Sequence, residues 1–299
     1  MIDQTYALMT AAHNEEATIE NTIESVLSQT TLPTRWVIVS DSSVDNTDRI
    51  IQKYESSYPW IKYLRIDRKA GRSFASKVIA LRQAESLLKS EKVDLIGNID
   101  ADVTLERNYF RSLIDRLGAD PALGIAGGFV YEESKGAYCS RPLNSEQSVP
   151  HAAQLVRRTC YDSIGGYALL KYGGEDWHAL VSARMNGWTA AAFPDLKIFH
   201  HRPNTASGTL LRNSLRAGRM DYSFGSYPPF EILKCIRRLR NGQFPGGAVR
   251  MCGFIWGYVR AEKRPVSDEF IAFLRSEQRD RVVAFLKGRV RLNNESVEA

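Results

Sequence analysis

Over its first hundred residues the chain alternates short apolar runs with stretches of helical period, and this alternation constrains the fold more than any other feature. Tyr6-Ala7-Leu8-Met9, Trp36-Val37-Ile38-Val39 and Ile61-Lys62-Tyr63-Leu64-Arg65-Ile66 read as strands, as does the run Val93-Asp94-Leu95-Ile96-Gly97-Asn98-Ile99. Between them Ile19, Ile23, Val26 and Leu27 share one helical face, with Asn14 a plausible N-cap and Glu15-Glu16 in the first turn. Ile50, Ile51 and Tyr54 mark a second helix, and Phe74, Val78 and Leu81 a third. Strands alternating with helices predict a parallel α/β sheet, whose ligands gather at the carboxyl ends of the strands. His13-Asn14-Glu15, Asp41 and Asp100-Ala101-Asp102 all stand at such ends.

From about Ala122 the pattern changes. Gly124 to Tyr131 reads as a strand, Gly136 to Pro150 as loop, and Leu155-Val156-Arg157-Arg158 leads towards Ile164-Gly165-Gly166-Tyr167. A helix from Glu175 to Asn186 is followed by two strands, at 189–193 and 196–199, ending at His200-His201. Beyond Pro203 the chain reads as helices with Gly and Pro breaks, the last capped by Ser267. The domains expected are therefore 1–205 and 206–299, the second a helical extension.

Charge follows the same division. Residues 200–299 carry 18 Lys and Arg against 9 Asp and Glu, while 1–199 carry 22 against 25. A basic final third can meet an anionic lipid surface, a phosphorylated acceptor or nucleic acid, or be a solvated helical surface. No nucleic-acid-binding module accompanies the charge, which argues against nucleic acid. Cys139, Cys160, Cys235 and Cys252 lack metal-ligand spacing, so reduced, buried thiols are expected. No signal-peptide pattern opens the chain and no apolar run is long enough to span a bilayer. The expected location is cytoplasmic, with the inner face of the membrane as an alternative.

The acidic residues carry the chemistry. Asp100-x-Asp102 ends an apolar strand, where a buried acid pair is costly without a cation. Mg²⁺ or Mn²⁺ prefers carboxylate oxygens and substrate phosphates. The competing role is a cap on a helix begun by Thr104-Leu105-Glu106. Period two puts His200 on the face of Leu196 and Ile198, and His201 on the other, so His200 is the ligand if that face is the site. Glu175-Asp176 follows Gly173-Gly174 at a helix start, where a carboxylate is stabilised as the anion and suits a general base. Asp41 can accept hydrogen bonds from a base or ribose, or form an Asx turn. Lys69 and Arg72 flank Gly71 and can pair with phosphate oxygens.

In combination these marks resemble the inverting glycosyltransferases of family 2, which have the GT-A fold. Ala12-His13-Asn14-Glu15-Glu16 resembles the family's Ala-Tyr-Asn-Glu-Glu, and Val39-Ser40-Asp41-Ser42-Ser43-Val44-Asp45-Asn46-Thr47 its Val-Asp-Asp-Gly-Ser-Thr-Asp-Asn-Thr. Asp100-Ala101-Asp102 matches its Asp-x-Asp and Gly174-Glu175-Asp176-Trp177 its Glu-Asp motif, and 194–202 resembles its closing strand with a metal-side His. The similarity covers about 5–203. It implies a mixed sheet flanked by helices and, at 1–205, a GT-A catalytic domain. It further implies that Asp41 holds the nucleotide, with Ala12, His13, Glu15, Arg72 and Asp100 nearby. Asp102, with Asp100 and His200, would bind Mg²⁺ or Mn²⁺ on the donor diphosphate. Asp176, beside Glu175, would deprotonate the acceptor. The implied partners are a nucleotide-sugar donor and a saccharide or lipid-linked acceptor of cell-surface polysaccharide synthesis.

Departures qualify the resemblance. Ser40 replaces the first Asp of the usual pair, Ser42 replaces its glycine, and Lys77 stands where many relatives have Asn. No Gln-x-x-Arg-Trp motif follows the His pair, which favours transfer of a single sugar over polymerisation. A non-catalytic nucleotide-sugar or glycan-binding protein on the same fold is the competing reading. Arg237-Arg238-Leu239-Arg240 and Trp256-Gly257-Tyr258 suit contact with an anionic membrane surface, against a plain helical appendage.

Overall fold

A computed structural model describes residues 4–68, 75–134, 136–202, 210–240 and 245–288. Lys69, Gly71, Arg72, Phe74 and Pro203, singled out in the sequence, lie outside them. The chain divides into two compact units, Met1–Leu169 with His178–Pro203, and Leu170–Trp177 with Asn204–Ala299.

The first unit opens with β1 (Tyr6–Ala12), α1 (Ile19–Leu27), β2 (Arg35–Asp41), α2 (Thr47–Ser57), β3 (Ile61–Ile66), α3 (Ser76–Leu88) and β4 (Leu95–Ile99). β1 lies parallel to β2 and β4, and β2 to β3. β1, β2 and β4 are buried on both faces, which is why they read as continuous apolar runs, whereas the edge strand β3 exposes Lys62 and Arg65. Leu8, Trp36 and Ile38 pack on one side with Ile19, Ile23 and Phe110, while Met9, Val37 and Val39 pack on the other with Val78 and Leu81. Full burial of each such side chain contributes about 1.5–3 kcal/mol. The parallel strands end at Ala12, Asp41, Ile66 and Ile99, so their carboxyl ends form one edge.

The remaining elements are β5 (Val103–Leu105), α4 (Tyr109–Ala119), β6 (Leu123–Ser134), β7 (Ala137–Ser140), β8 (Ala153–Arg157), α5 (Arg158–Ser163), α6 (Glu175–Met185) and β9 (Thr189–His200). The sheet order is β3-β2-β1-β4-β8-β6-β9-β5, with β7 paired to β6. β8 runs antiparallel to β4 and β6, and β5 antiparallel to β9, so the sheet is mixed rather than wholly parallel.

Several local expectations change, among them residues 137–140, which were read as loop and pair with β6 as β7. Thr18, not Asn14, precedes α1: Asn14 adopts a left-handed φ of 54°, and the Glu15 carbonyl accepts from the Thr18 and Ile19 amides. Residues 103–105 form a strand on β9, and the next helix waits until Tyr109, so Asp102 has no helix to cap. The two strands expected at 189–199 are one, with a register irregularity between Gly128 and Phe129 on its partner β6. Two cysteines, Cys160 and Cys235, are buried, but Cys139 and Cys252 are exposed.

The second unit contains α7 (Leu210–Ser223), α8 (Pro228–Arg240), α9 (Gly246–Val259) and α10 (Asp268–Leu286). The Ser267 hydroxyl accepts from the Phe270 amide at 3.2 Å and caps α10. Helices α7 and α9 approach closely at Gly218 and Gly253. A Cβ on Gly218 would stand 1.9 Å from the Arg250 carbonyl, and one on Gly253 2.2 Å from that of Leu215. The one charged residue of α9, Arg250, turns inward to Asp221, with Nη2 and Nε each 2.8 Å from Oδ2. Lys234 of α8 bridges Asp221 at 3.1 Å and Glu231 at 2.7 Å. Among the described residues no helix is long and apolar enough to cross a membrane.

Candidate active site

The strand ends place the sequence-selected residues of the first unit along one edge, and antiparallel pairing of β5 with β9 sets its far side. Val103 lies opposite His200 in that ladder. Asp102 Oδ1 and His200 Nε2 are 3.5 Å apart, with side-chain exposures of 14% and 10%. His200 Nδ1 is buried without a hydrogen-bond partner. The neighbouring ring is engaged elsewhere: His201 Nε2 lies 2.9 Å from the Thr104 hydroxyl and Nδ1 2.9 Å from that of Tyr138. Burial holds the His201 imidazole below its ordinary pKa.

A carboxylate and an imidazole in this setting suit a divalent cation such as Mn²⁺. His200 Nε2, 3.5 Å from Asp102 Oδ1, is the ring nitrogen that would share such an ion with the carboxylate. Among the described residues no group of three or more His, Cys, Asp or Glu is gathered closely enough to hold one. Asp100, two residues away, is engaged by a different cation. Lys77 Nζ, in the first turn of α3, lies 2.6 Å from Asp100 Oδ1. Burial and the Asp102 charge push the Asp100 carboxyl up, while Lys77 opposes them.

A polar network lies beneath that pair. The Asp100 amide donates to the Ala152 carbonyl at 2.8 Å. Asn98, on β4, donates to the His151 carbonyl at 2.5 Å and accepts from the Tyr167 hydroxyl at 2.7 Å and from Gln154 at 3.1 Å. The His151 ring meets Tyr167 edge to face, centroids 4.4 Å apart, and both its nitrogens are buried without hydrogen bonds. Burial pushes its pKa far down, so the ring is neutral. Sequence reading passed over His151, which no motif marks.

At the other end, Arg68 grips Asp41 with two parallel bonds, Nε to Oδ1 at 2.6 Å and Nη2 to Oδ2 at 2.5 Å. A carboxylate has about four lone-pair sites; the two Arg68 bonds and the Ser42 hydroxyl, which donates to Oδ1 at 3.5 Å, take up to three, and the rest serve a ligand. His13 Nδ1 lies 2.6 Å from the Asp41 carbonyl. Ser42 has φ 57°, the left-handed region where glycine is normally preferred. Its hydroxyl accepts from the Arg68 amide at 2.9 Å, tying the β2 and β3 ends together. Ser40 donates to the Ser43 hydroxyl at 2.9 Å, and Ser43 accepts from the Asn14 amide at 3.2 Å. Ala12 closes β1 beside Ser40. Glu15 is buried and pairs with Arg202, just beyond β9, at 2.6 Å. Arg68 was absent from the sequence reading, and Arg202 entered it only as the last residue of the closing-strand segment. Arg68 had a signal, since it follows β3 at the same edge as the selected acids.

In the second unit Gly173 and Gly174 take φ of 85° and 86°. A Cβ on Gly174 would also meet the Met220 sulfur at 3.0 Å and the Phe224 ring at 3.1 Å. Glu175 and Asp176 form the first turn of α6, and Asp176 Oδ1 accepts from the Trp177 amide at 2.7 Å. Trp177 packs on Phe224 with centroids 4.8 Å apart. Arg216 donates to the Tyr172 carbonyl at 2.6 Å, and burial pulls its guanidinium below the ordinary value, against the partial relief of the Glu175 charge. Arg72 lies outside the described residues.

A mixed sheet with this acidic edge defines a GT-A fold. Two solved structures share it at low identity. The mannosyltransferase PcManGT from Pyrobaculum calidifontis, in complex with GDP-Man and Mn²⁺, gives a TM-score of 0.57 at 14% identity, covering 97% of this chain and 89% of that one. S. aureus TarS 1–349 in complex with UDP-GlcNAc gives 0.54 at 12% identity, covering 72% and 65%. The model of glycosyl transferase family 2 matches residues 8–173, and the chain belongs to that family. A poly-beta-1,6-N-acetyl-D-glucosamine synthase of Staphylococcus aureus (strain COL) is 29% identical over 118 residues, 40% of this chain and 26% of that protein. A beta-monoglucosyldiacylglycerol synthase of Synechocystis sp. is 33% identical over 181 residues, 54% of this chain and 36% of that protein. The chain thus spans about a quarter to a third of the length of these curated relatives.

Proposed function

We propose that the chain is an inverting, divalent-metal-dependent glycosyltransferase that moves one sugar from a nucleotide-sugar donor to a hydroxyl of a saccharide or lipid-linked acceptor. The observation that carries this reading is the Asp102–His200 pair, a half-buried carboxylate just before β5 and a buried imidazole at the end of β9, 3.5 Å apart. Asp102 and His200 would hold Mg²⁺ or Mn²⁺, and the Mn²⁺ of the mannosyltransferase neighbour supports that choice. When bound, the cation supplies charge stabilisation on the departing nucleoside diphosphate.

The chain's own groups do the rest. Asp41, held in one orientation by Arg68, accepts hydrogen bonds from the nucleoside with its remaining lone pairs. Lys77, with its charge partly met by Asp100, adds a fixed positive group at the same strand end. Asp176, at the start of α6, takes the proton from the acceptor hydroxyl. The acceptor oxygen then attacks the anomeric carbon opposite the leaving group and inverts it. Asp176 stands in the first turn of α6, where a helix favours the anionic form of a carboxylate that a general base uses.

The test uses purified protein, Mn²⁺ and a panel of sugar nucleotides, first in thermal shift and then in nucleoside diphosphate release. A cognate donor raises the melting temperature by mass action. Asp102→Asn and His200→Ala abolish the Mn²⁺-dependent part of that shift, whereas Asp176→Asn keeps it and loses more than about a thousandfold in kcat, a general-base contribution. Parental turnover by Asp176→Asn overturns the assignment of the base. Donor binding without turnover across a broad acceptor panel supports a binding protein instead.

A further inference from the structure

Helix α9 has an outer face without a charge. Its single ionic residue, Arg250, is 2% exposed and committed to Asp221 inside the second unit. The solvent side carries Ile255, Trp256 and Val259 at 52%, 46% and 70% exposure. Helix α8 adds Ile232 and Ile236, one turn apart and 49% and 42% exposed. Between the two helices runs an apolar groove of ≈ 690 Å³, floored by Cys235 and Phe254 and edged by Ile232, Ile236, Met251 and Tyr258. Its size falls in the range of small-molecule sites, yet it lacks the converging polar groups that such sites use to orient a ligand.

Cations surround this apolar surface. Residues 228–264 contain eight Lys and Arg, two of which, Lys234 and Arg250, are turned inward to acids, against two Asp and Glu. Both acids are spoken for: Glu231 is buried against Lys234, and Glu262 pairs with Arg219 and accepts from the Tyr172 hydroxyl. Arg260 lies over the Trp256 ring at 5.0 Å and Arg264 over Tyr258 at 5.5 Å, so aromatic rings and guanidinium groups share the groove's edge. Lys263, beside them, is exposed.

We infer that the α8–α9 face docks on the interfacial layer of an anionic phospholipid membrane, with Ile255 and Trp256 entering the acyl boundary and Arg260, Lys263 and Arg264 meeting lipid phosphates. An apolar strip with Trp at its margin and a basic rim is the pattern of helices that lie in the membrane interface. A second copy of the chain is a poorer occupant. A twofold contact through this face would bring the same basic rim against itself, and such like-charge juxtaposition costs several kcal/mol. The inference concerns the second unit alone and stands whether or not the proposed reaction is right.

The experiment is co-sedimentation of the full chain with phosphatidylcholine vesicles, with and without phosphatidylglycerol, followed also by Trp fluorescence. Binding is expected on the phosphatidylglycerol vesicles, falling with added salt, with a blue-shifted Trp signal that Trp256→Phe removes. Each surface cation contributes about 1 kcal/mol, so the double variant Arg260→Glu/Lys263→Glu lowers the vesicle partition coefficient by more than about tenfold. Those two positions are solvent-exposed, so the variant keeps its fold, verified by circular dichroism. Ile255→Glu abolishes binding. Failure to bind anionic vesicles overturns the inference. So does equal binding to neutral vesicles, or a concentration-dependent dimer that Ile255→Glu dissolves.

Discussion

Lys77 and Asp100 form an ion pair at 2.6 Å beside the Asp102–His200 pair, so two neighbouring carboxylates of one short motif have different partners. One is met by a cation the chain carries itself. The other faces an imidazole and, in the proposed reaction, takes a cation from outside.

Lys77→Met tests that division. Without the ammonium, Asp100 stands unpaired beside Asp102, and the metal-free protein loses about 1–3 kcal/mol, the cost of an unsatisfied, mostly buried group. With the competing ammonium charge gone from beside Asp102, Mn²⁺ binds about tenfold tighter, a gain of about 1.4 kcal/mol. Paramagnetic resonance titration of free Mn²⁺ reads the affinity directly. Unchanged affinity would show that Asp100 does not reach the ion.

Arg68→Ala removes the two-pronged grip on Asp41, whose side chain is only 6% exposed. Breaking a fully buried pair costs about 3–5 kcal/mol, and Arg68 keeps some solvent access, so a loss of about 2–3 kcal/mol is expected in urea unfolding. Asp41→Asn/Arg68→Ala recovers part of it, because the unpaired charge is gone. A double variant as unstable as the single one contradicts this account.

Glu231 gives the second unit a dependence on pH. Burial and the Asp221 charge push its carboxyl up to about 7, against the partial relief of Lys234 and Arg250. The folded state therefore holds this proton more tightly than the unfolded chain. Its contribution to stability is complete below the ordinary carboxyl range and is lost as pH rises through about 7. Glu231→Gln removes this loss, so its advantage over the parent grows between about pH 4.5 and 7 and reaches about 1–3 kcal/mol at pH 8. Melting curves of both proteins across that range decide the matter, and parallel profiles count against it.

Ala261 occupies the position after the α9 C-cap in a left-handed conformation, φ 45°. The Glu262 amide donates to the Gly257 carbonyl at 3.1 Å and the Ala261 amide to that of Tyr258 at 3.0 Å, a Schellman arrangement that normally places Gly there. The left-handed penalty for Ala is about 1–2 kcal/mol, partly offset by the larger unfolded-state entropy of Gly. Ala261→Gly therefore stabilises by about 1 kcal/mol and raises Tm by about 2–4 °C. A lower Tm would refute the strain.

Much of the first unit is legible in the sequence because burial on both faces writes strands as unbroken apolar runs, as at 36–39 and 95–99. The acids at the strand ends are legible for the same reason: they are where those runs stop. What escaped was non-local. Thr104-Leu105-Glu106 has no helical or strand preference strong enough to decide, and the ladder with residues 198–200 decides it. Arg68, Arg202 and Lys77 are ordinary surface cations until the fold brings Asp41, Glu15 and Asp100 to them. Residues 170–177 belong with the helical unit although they lie far from it in sequence, a grouping that only tertiary contacts reveal.

The short β5–β9 ladder joins residues that are almost a hundred positions apart, with Val103 directly across from His200. Because Asp102 stands one residue before the Val103–His200 rung, and its carbonyl accepts from the His201 amide at 2.9 Å, the ladder sets the Asp102–His200 separation whatever the length of the excursion between them. Insertions or replaced loops in that excursion can remodel what the protein recognises while the pair keeps its spacing. The ladder thus frees the intervening chain to diversify.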